Sequence, residues 1–339
     1  MKKSYLLNFL FIILCSLFNA QTISFISEKT GQPLPKVVVF GKDGNILATS
    51  DIDGNIEKSS VTPDQEKFQL VYDNIAIAKL SYDEINKDVV KLNDRVKDIE
   101  AVVIKNNKPA KYVLVKGNFN AYLTVNGKLN CYLDGIATYV FDNKTKKLKS
   151  TNVQQYRVFR LENPSTDRKQ TGLLDYNAFL DLPQLPNVGN IDEYKNRKAT
   201  IKELKGKTKD EIEISGSALQ QKEMALFGYR LYDIKALFNH SYEKDSKKTL
   251  RDFLESNEIG YIKFKHKSEP DYNQLISYKN FYPTELDFSD DNDVEGTVKL
   301  NKNYSNYSSN YWQEPSFPNM QLIFSSFFKD DLKEKENKK

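Results

Sequence analysis

The chain has 339 residues and a formal net charge of +4, from 50 Lys and Arg against 46 Asp and Glu. A balance that close excludes the concentrated basic face of a nucleic-acid-binding domain, and two cysteines, Cys15 and Cys131, exclude a scaffold built on disulfides. Twenty Tyr and twenty Phe favour strands over helices, and the length suits two domains.

Residues 1–20, MKKSYLLNFLFIILCSLFNA, set two lysines before an apolar run from Tyr5 to Phe18 and then a polar break. This is the layout of a secretory signal peptide, with cleavage expected after Ala20. The run is too short to span a bilayer, which takes about 20 residues. Cys15 raises the alternative of a lipoprotein, but Leu14 before it is large for a lipobox. Removing residues 1–20 takes Lys2 and Lys3 and no acid, so the net charge falls to +2. The chain is expected to be exported, to a periplasm, an outer membrane or the outside, with no transmembrane span in its mature part.

Ile23 and Phe25 alternate with polar neighbours, as in a half-buried strand. Pro33 and Pro35 lead into Val37-Val38-Val39-Phe40, a strand start that tolerates proline. Asp43-Gly44 breaks the chain, Ile46-Leu47-Ala48-Thr49 resumes it, and Asp51-Ile52-Asp53-Gly54-Asn55 breaks it again. Asp-Gly between apolar runs signals a hairpin, because glycine takes a positive φ without a Cβ clash. Further strands are expected at Phe68–Tyr72, Ile75–Leu80, Val89–Leu92 and Ile99–Ile104, a spacing that suits a small antiparallel β-sandwich.

The order of TGQPLPKVVVF, an Asp-Gly hairpin, ATSDIDGN, a strand containing Tyr72 and a closing DIEAVVI resembles the carboxypeptidase regulatory-like domain over residues 22–105. The resemblance implies a transthyretin-like β-sandwich that packs, presents or contacts a partner without performing peptidase chemistry. The closing segment resembles this domain where it precedes envelope proteins of Gram-negative bacteria. The polar stretch Asn55–Ser59 and the charged stretch Tyr82–Asp98 depart from the family pattern. Asp51, Asp53 and Asn55 do not form an EF-hand loop, since glycine stands at the fourth position rather than the sixth, so a tight turn is expected.

Lys105–Pro109 reads as a hinge, and a second domain is expected over residues 110–328. Val113, Val115, Phe119, Ala121, Leu123 and Val125 share one face of a long strand. After Asn126-Gly127, Leu129, Cys131 and Leu133 return on one face. A two-residue loop would mix the faces, so the buried face predicts an odd, three-residue loop that sets Leu123 opposite Cys131. Cys131 is then a small apolar side chain. Further strands are expected at Ile136–Phe141 and Val153–Leu161. Helices are expected near 190–256, over Asn190–Leu204, Leu219–Phe238 and Ser246–Leu254. There Phe227, Leu231, Ile234 and Phe238 fall at helical spacing, as a packed stripe or a docking face. Strands resume at Gly260–Lys265, Gln274–Phe281 and Gly296–Asn301, the apolar segment Met320–Phe328 closes the sheet, and a charged tail frays from Lys329 to Lys339.

Catalytic signatures are missing. His240 and His266 stand in no zinc-protease motif, no Gly-x-Ser-x-Gly elbow occurs, and no phosphate-cradling glycine loop occurs. Asp287, Asp290, Asp291, Asp293 and Glu295 offer hard oxygen ligands for a cation, or form a solvated acidic turn. Tyr304, Tyr307, Tyr311 and Trp312 in NYSNYSSNYW suit contact with a sugar or partner, or line a strand edge.

The fold expected is mainly β, a small N-terminal β-sandwich followed by a larger antiparallel β-sheet domain with a helical insertion. The function expected is that of a non-catalytic, cofactor-free cell-envelope protein with a protein partner. The sandwich would serve as spacer or docking module and the larger domain as a binding or structural unit. One alternative is a carrier of a lipid or other hydrophobic ligand, favoured by an apolar concave pocket and opposed by a filled one. The other is a hydrolase using paired carboxylates.

Overall fold

The structure, a computed structural model, describes residues 22–41, 46–65, 67–72, 75–93, 103–104, 110–126, 128–161, 176–185, 188, 199–206, 208–217, 224–226, 228–314, 317 and 332–336. The chain divides into two compact units, Met1–Asp94 and Arg95–Lys339.

In the first unit, β1 (Thr22–Ser27), β2 (Val38–Phe40), β3 (Ile46–Thr49), β4 (Asn55–Glu57), β5 (Phe68–Tyr72), β6 (Ile75–Leu80) and β7 (Val89–Leu92) form two sheets, joined by a short helix α1 (Tyr82–Ile85). A three-stranded sheet runs β4-β1-β7 and a four-stranded one β3-β2-β5-β6, and the β1–β7 pair is parallel where an antiparallel sandwich was expected. Ile23 and Phe25 of the first meet Val39, Phe68 and Leu70 of the second in one buried core. The second turn closes as its residues predict. Asp51 Oδ1 accepts the backbone N–H groups of Asp53 (3.0 Å) and Asn55 (2.8 Å). Gly54 sits at φ +80°, where a Cβ would strike the carbonyl of Phe25. Its charged flank is ordered by a capping box, in which Ser81 and Glu84 close the start of α1.

The second unit is built on one eleven-stranded sheet. Its strands are β8 (Val103–Ile104), β9 (Tyr112–Val125), β10 (Lys128–Asp142), β11 (Leu148–Leu161), β12 (Thr200–Lys205), β13 (Lys209–Ser217), β14 (Met224–Leu226), β15 (Tyr229–Glu243), β16 (Phe253–His266), β17 (Asn273–Ser289) and β18 (Leu332–Glu334). The order is β12-β13-β15-β16-β17-β9-β10-β11-β18, with β14 on β15 and β8 on β17. All these pairs are antiparallel except β8 with β17. The fold is mainly β.

Five further expectations are corrected. The described residues of the expected helices hold no helix: Thr200–Lys205 is β12, Met224–Leu226 is β14, the part of Leu219–Phe238 from Tyr229 on falls in β15, and Phe253–Leu254 begins β16. The helical spacing in β15 comes from a bulge between Leu231 and Asp233, which leaves Leu231 opposite Phe264 and Ile234 opposite Ile262 on the same face. One extra residue turns a spacing of two into three, which mimics a helical stripe. Residues 190–198, 219–223 and Phe227 lie outside the described residues.

The β9–β10 hairpin is the second correction. Val125 pairs with Lys128, so the loop has two residues, and a bulge between Leu129 and Cys131 supplies the odd residue instead. Leu123 still pairs with Cys131, because the buried face decides the register.

Third, Ile136–Phe141 is no separate strand but the second half of β10. Asp134-Gly135 makes no turn there. Gly135 leaves room for the Phe119 ring, which a Cβ would strike. Fourth, of the expected strand Ile99–Ile104 only β8 is described, and it pairs with Glu285 and Leu286 of the second unit rather than closing the sandwich. Fifth, the tail is not wholly frayed: β18 pairs with Phe159–Leu161, and Leu332 packs against the cluster of Tyr132, Tyr311 and Phe317. Gly296–Asn301 contributes one bridge, Val298 to Val153, and Met320–Phe328 lies outside the described residues.

Candidate functional site

Successive side chains of a strand point to opposite faces, so the registers sort the large sheet into two surfaces. The inward face is largely apolar: Val113, Phe119, Leu123, Cys131, Leu133, Phe281 and Leu275 all belong to its buried core. Residues 176–185 and 188 lie across this face. A 3-10 turn, Tyr176–Phe179, leads into an irregular strap. Tyr176, Leu180, Leu185 and Val188 are each at most 1% exposed. The sheet face beneath the described strap is buried.

A polar island interrupts that apolar face. Lys279 Nζ meets Glu258 Oε1 at 2.8 Å, both side chains being nearly buried. His240 Nδ1 lies 3.0 Å from Ser256 Oγ on the neighbouring strand. Two hydroxyls and one carboxylate of this face bind strap backbone: Tyr139 donates to the Pro183 carbonyl (2.8 Å), Tyr242 donates to the Val188 carbonyl (2.8 Å), and Gln184 N donates to Glu258 Oε2 (3.0 Å). Burial holds the Tyr139 hydroxyl well above the usual tyrosine range, and the carboxylates of Glu258 and Asp181 push the same way. His240 and Ser256 are each 0% exposed, so this pair has no approach for a substrate.

The outward face carries a row set by register alone: Asn239, Asn257, Asn280, Asn120, Asp134 and Arg157 stand opposite one another across six strands. The next row is aromatic, with Tyr278 stacked on Tyr122 at 4.6 Å and Tyr132 tilted on Phe159 at 5.6 Å. Asp134 is the centre of a clasp. Arg157 grips it through Nε (3.0 Å) and Nη2 (2.5 Å), and Tyr132 (2.9 Å) and Tyr311 (2.6 Å) donate their hydroxyls to it. Trp312 covers the guanidinium at 4.1 Å. Burial pushes the Arg157 guanidinium down, but the bonds and charge of Asp134 more than reverse this and leave it above its ordinary range. Tyr132 and Tyr311 are raised by burial first and then by Asp134.

The predicted site residues scatter. Leu231 and Phe238 pack on the inward core rather than forming a docking face. Tyr304 (49% exposed) and Tyr307 (37%) reach solvent, while Tyr311 is buried in the clasp and Trp312 meets Tyr307 and Tyr311 in T-shaped contacts. Among the acids, Asp287 lies in β17, Asp290 accepts Lys111 N at 3.0 Å, and Asp291 accepts Asp293 N at 3.0 Å. Among the described residues no three metal-ligating side chains gather. Two carboxylates do converge elsewhere: Glu211 and Glu255 both accept from Ser241 Oγ at 3.1 Å, with Lys209 Nζ beside both. The ammonium between them neutralises the charge a glycosidase pair would need.

No family model matches the chain, and no curated protein matches it. Among solved structures it is similar to one described as lipid-protein interactions in lipovitellin, at 8% identity and a TM-score of 0.29. The match covers 57% of this chain and 27% of the other, so this chain spans little more than a quarter of it. No helix among the described residues is long and apolar enough to cross a membrane.

Proposed function

We propose that the protein is an exported, non-catalytic binding protein of a cell envelope. The small sandwich serves as spacer or docking module, in keeping with its resemblance to the carboxypeptidase regulatory-like domain, and the large sheet is the binding unit. The observation that carries this reading is the polar island on the inward face. A surface that only had to be filled would be apolar, since each buried polar group costs free energy unless it is hydrogen-bonded. Here Tyr139, Tyr242 and Glu258 sit in that surface and reach out of it to bind what lies across it. The buried charges Asp134 and Arg157 satisfy each other and suit a structural clasp.

A second reading, a carrier of a lipid or other hydrophobic ligand on the same face, is favoured by the continuous apolar stripe Val113, Val115, Phe119, Ala121, Leu123 and Val125 along β9. The buried surface under the strap opposes it unless the strap yields. Native mass spectrometry on protein purified gently from its own envelope tests both. A stoichiometric protein partner is the expected result, a discrete lipid-sized adduct would transfer the case to the carrier, and a bare monomer would count against both.

A further inference from the structure

We propose that the inward face takes an extended, apolar polypeptide segment in the place now held by Leu180–Leu185 and Val188, which act as its internal stand-in. This rests on the reading of that face as the binding surface and names the class of its ligand.

The anchors identify the class. What Tyr139, Tyr242 and Glu258 bind in the strap is two backbone carbonyls and one backbone N–H. These groups are common to every polypeptide, so the anchors read chain rather than sequence, as in grooves that bind extended peptides. An acyl chain would match the apolar walls yet bring no N–H to Glu258. That carboxylate already holds Lys279 with its other oxygen, and its buried second oxygen keeps an acceptor to satisfy. Specificity for apolar segments then comes from the fully buried positions of Leu180, Leu185 and Val188.

The strap is also built to leave. Its described residues belong to no strand, so its departure breaks no ladder bond of the sheet. Segments held by few backbone bonds open at lower free energy than the sheets they cover. Pro183 has no N–H to satisfy and favours extended backbone, which lowers the entropy cost of docking and of re-docking.

The test uses a fluorescein-labelled peptide with the sequence of residues 176–188 and fluorescence anisotropy. The receptor is the full mature chain carrying Leu180→Asp and Leu185→Asp, which drives its own strap off the core. It should bind the peptide at least ~10-fold more tightly than the unmodified protein, a difference of about 1.4 kcal/mol. Adding Tyr139→Phe and Tyr242→Phe should weaken the peptide by roughly tenfold, from the loss of two hydrogen bonds worth about 0.5–1.5 kcal/mol each. If the Asp variant fails to fold, the same titration is made on unmodified sequence cut after folding at two protease sites, one inserted after Thr171 and one after Asn190, so that the freed strap can exchange with the peptide. Binding of a fluorescent hexadecanoic acid without the peptide would overturn the ligand class and leave the binding face standing. Binding of neither by a folded receptor would overturn both, and mark residues 176–188 as plain core.

Discussion

Asp134 and Arg157 face each other across β10 and β11 and meet in a two-pronged ion pair whose partners are 0% and 3% exposed. Two further contacts come from far along the chain: Tyr311 donates to Asp134 and Trp312 covers Arg157. The pair thus fastens residues 301–314 to the outward face of the sheet, and loss of either partner strands a charge in a dry site.

Arg157→Met should therefore destabilise the second unit by about 3–5 kcal/mol, the usual cost of leaving a buried charge unpaired. The double variant Asp134→Leu/Arg157→Met should recover most of that loss, because two apolar groups leave nothing unsatisfied. Trp312 is the chain's single tryptophan and sits on the guanidinium, so its fluorescence in a urea titration follows this site directly. Equal losses for the single and double variants would show that packing, not charge pairing, holds the clasp.

Alkaline pH should act on the same region. Tyr132, Tyr139 and Tyr311 have hydroxyl pKa values raised well above that of an unfolded tyrosine, about 10, first by burial and then by neighbouring carboxylates. A raised folded-state value means the folded chain holds these protons more tightly. Their contribution to stability is complete below pH ~10 and falls as pH rises beyond it. The unfolding midpoint in urea should hold between pH 8 and 9.5 and drop from about pH 10 upward. Tyr311→Phe should make that drop shallower, and a drop unchanged in Tyr311→Phe would remove this residue from the account.

The bulge in the β9–β10 hairpin gives a chemical handle. Cys131 is buried opposite Leu123, with Asn130 as the extra residue between the two registers. Deleting Asn130 removes only the extra residue, so Lys128, Leu129 and Cys131 can still meet Val125, Thr124 and Leu123 in a regular two-residue hairpin. In protein lacking residues 1–20, Cys131 should therefore resist an aromatic disulfide reagent until the second unit unfolds, in the deletion variant as in the parent chain. Immediate reaction of the deletion variant would mean that the bulge, not the buried face, sets the register.

These features were unequally visible in the amino-acid sequence. Most strands of the first unit could be read almost to the residue, because alternation is a local signal, but the short polar β4 was read only as part of a turn. The pairing of Leu123 with Cys131 was readable from the buried face, though the bulge that achieves it was not. β15 was misread because its bulge gives Leu231, Ile234 and Phe238 the spacing of a helix. The outward rows had no signal at all: Asn280 bonds Asn120 across 160 residues of chain, and only the finished registers align them. The strap's anchors are backbone groups, which leave no mark on side-chain chemistry.

The two units should also separate energetically, and Gly54 can show it. At φ +80° any L side chain is strained, and a Cβ there meets the Phe25 carbonyl, so Gly54→Ala should cost the first unit roughly 1–3 kcal/mol. The first unit has no tryptophan, and its loss is followed by far-ultraviolet circular dichroism, while Trp312 reports on the second. Because each unit has its own buried core, the dichroism transition should split and its early part move to lower urea with Trp312 unmoved. A Trp312 transition that shifts along with it would mean that the two cores unfold as one.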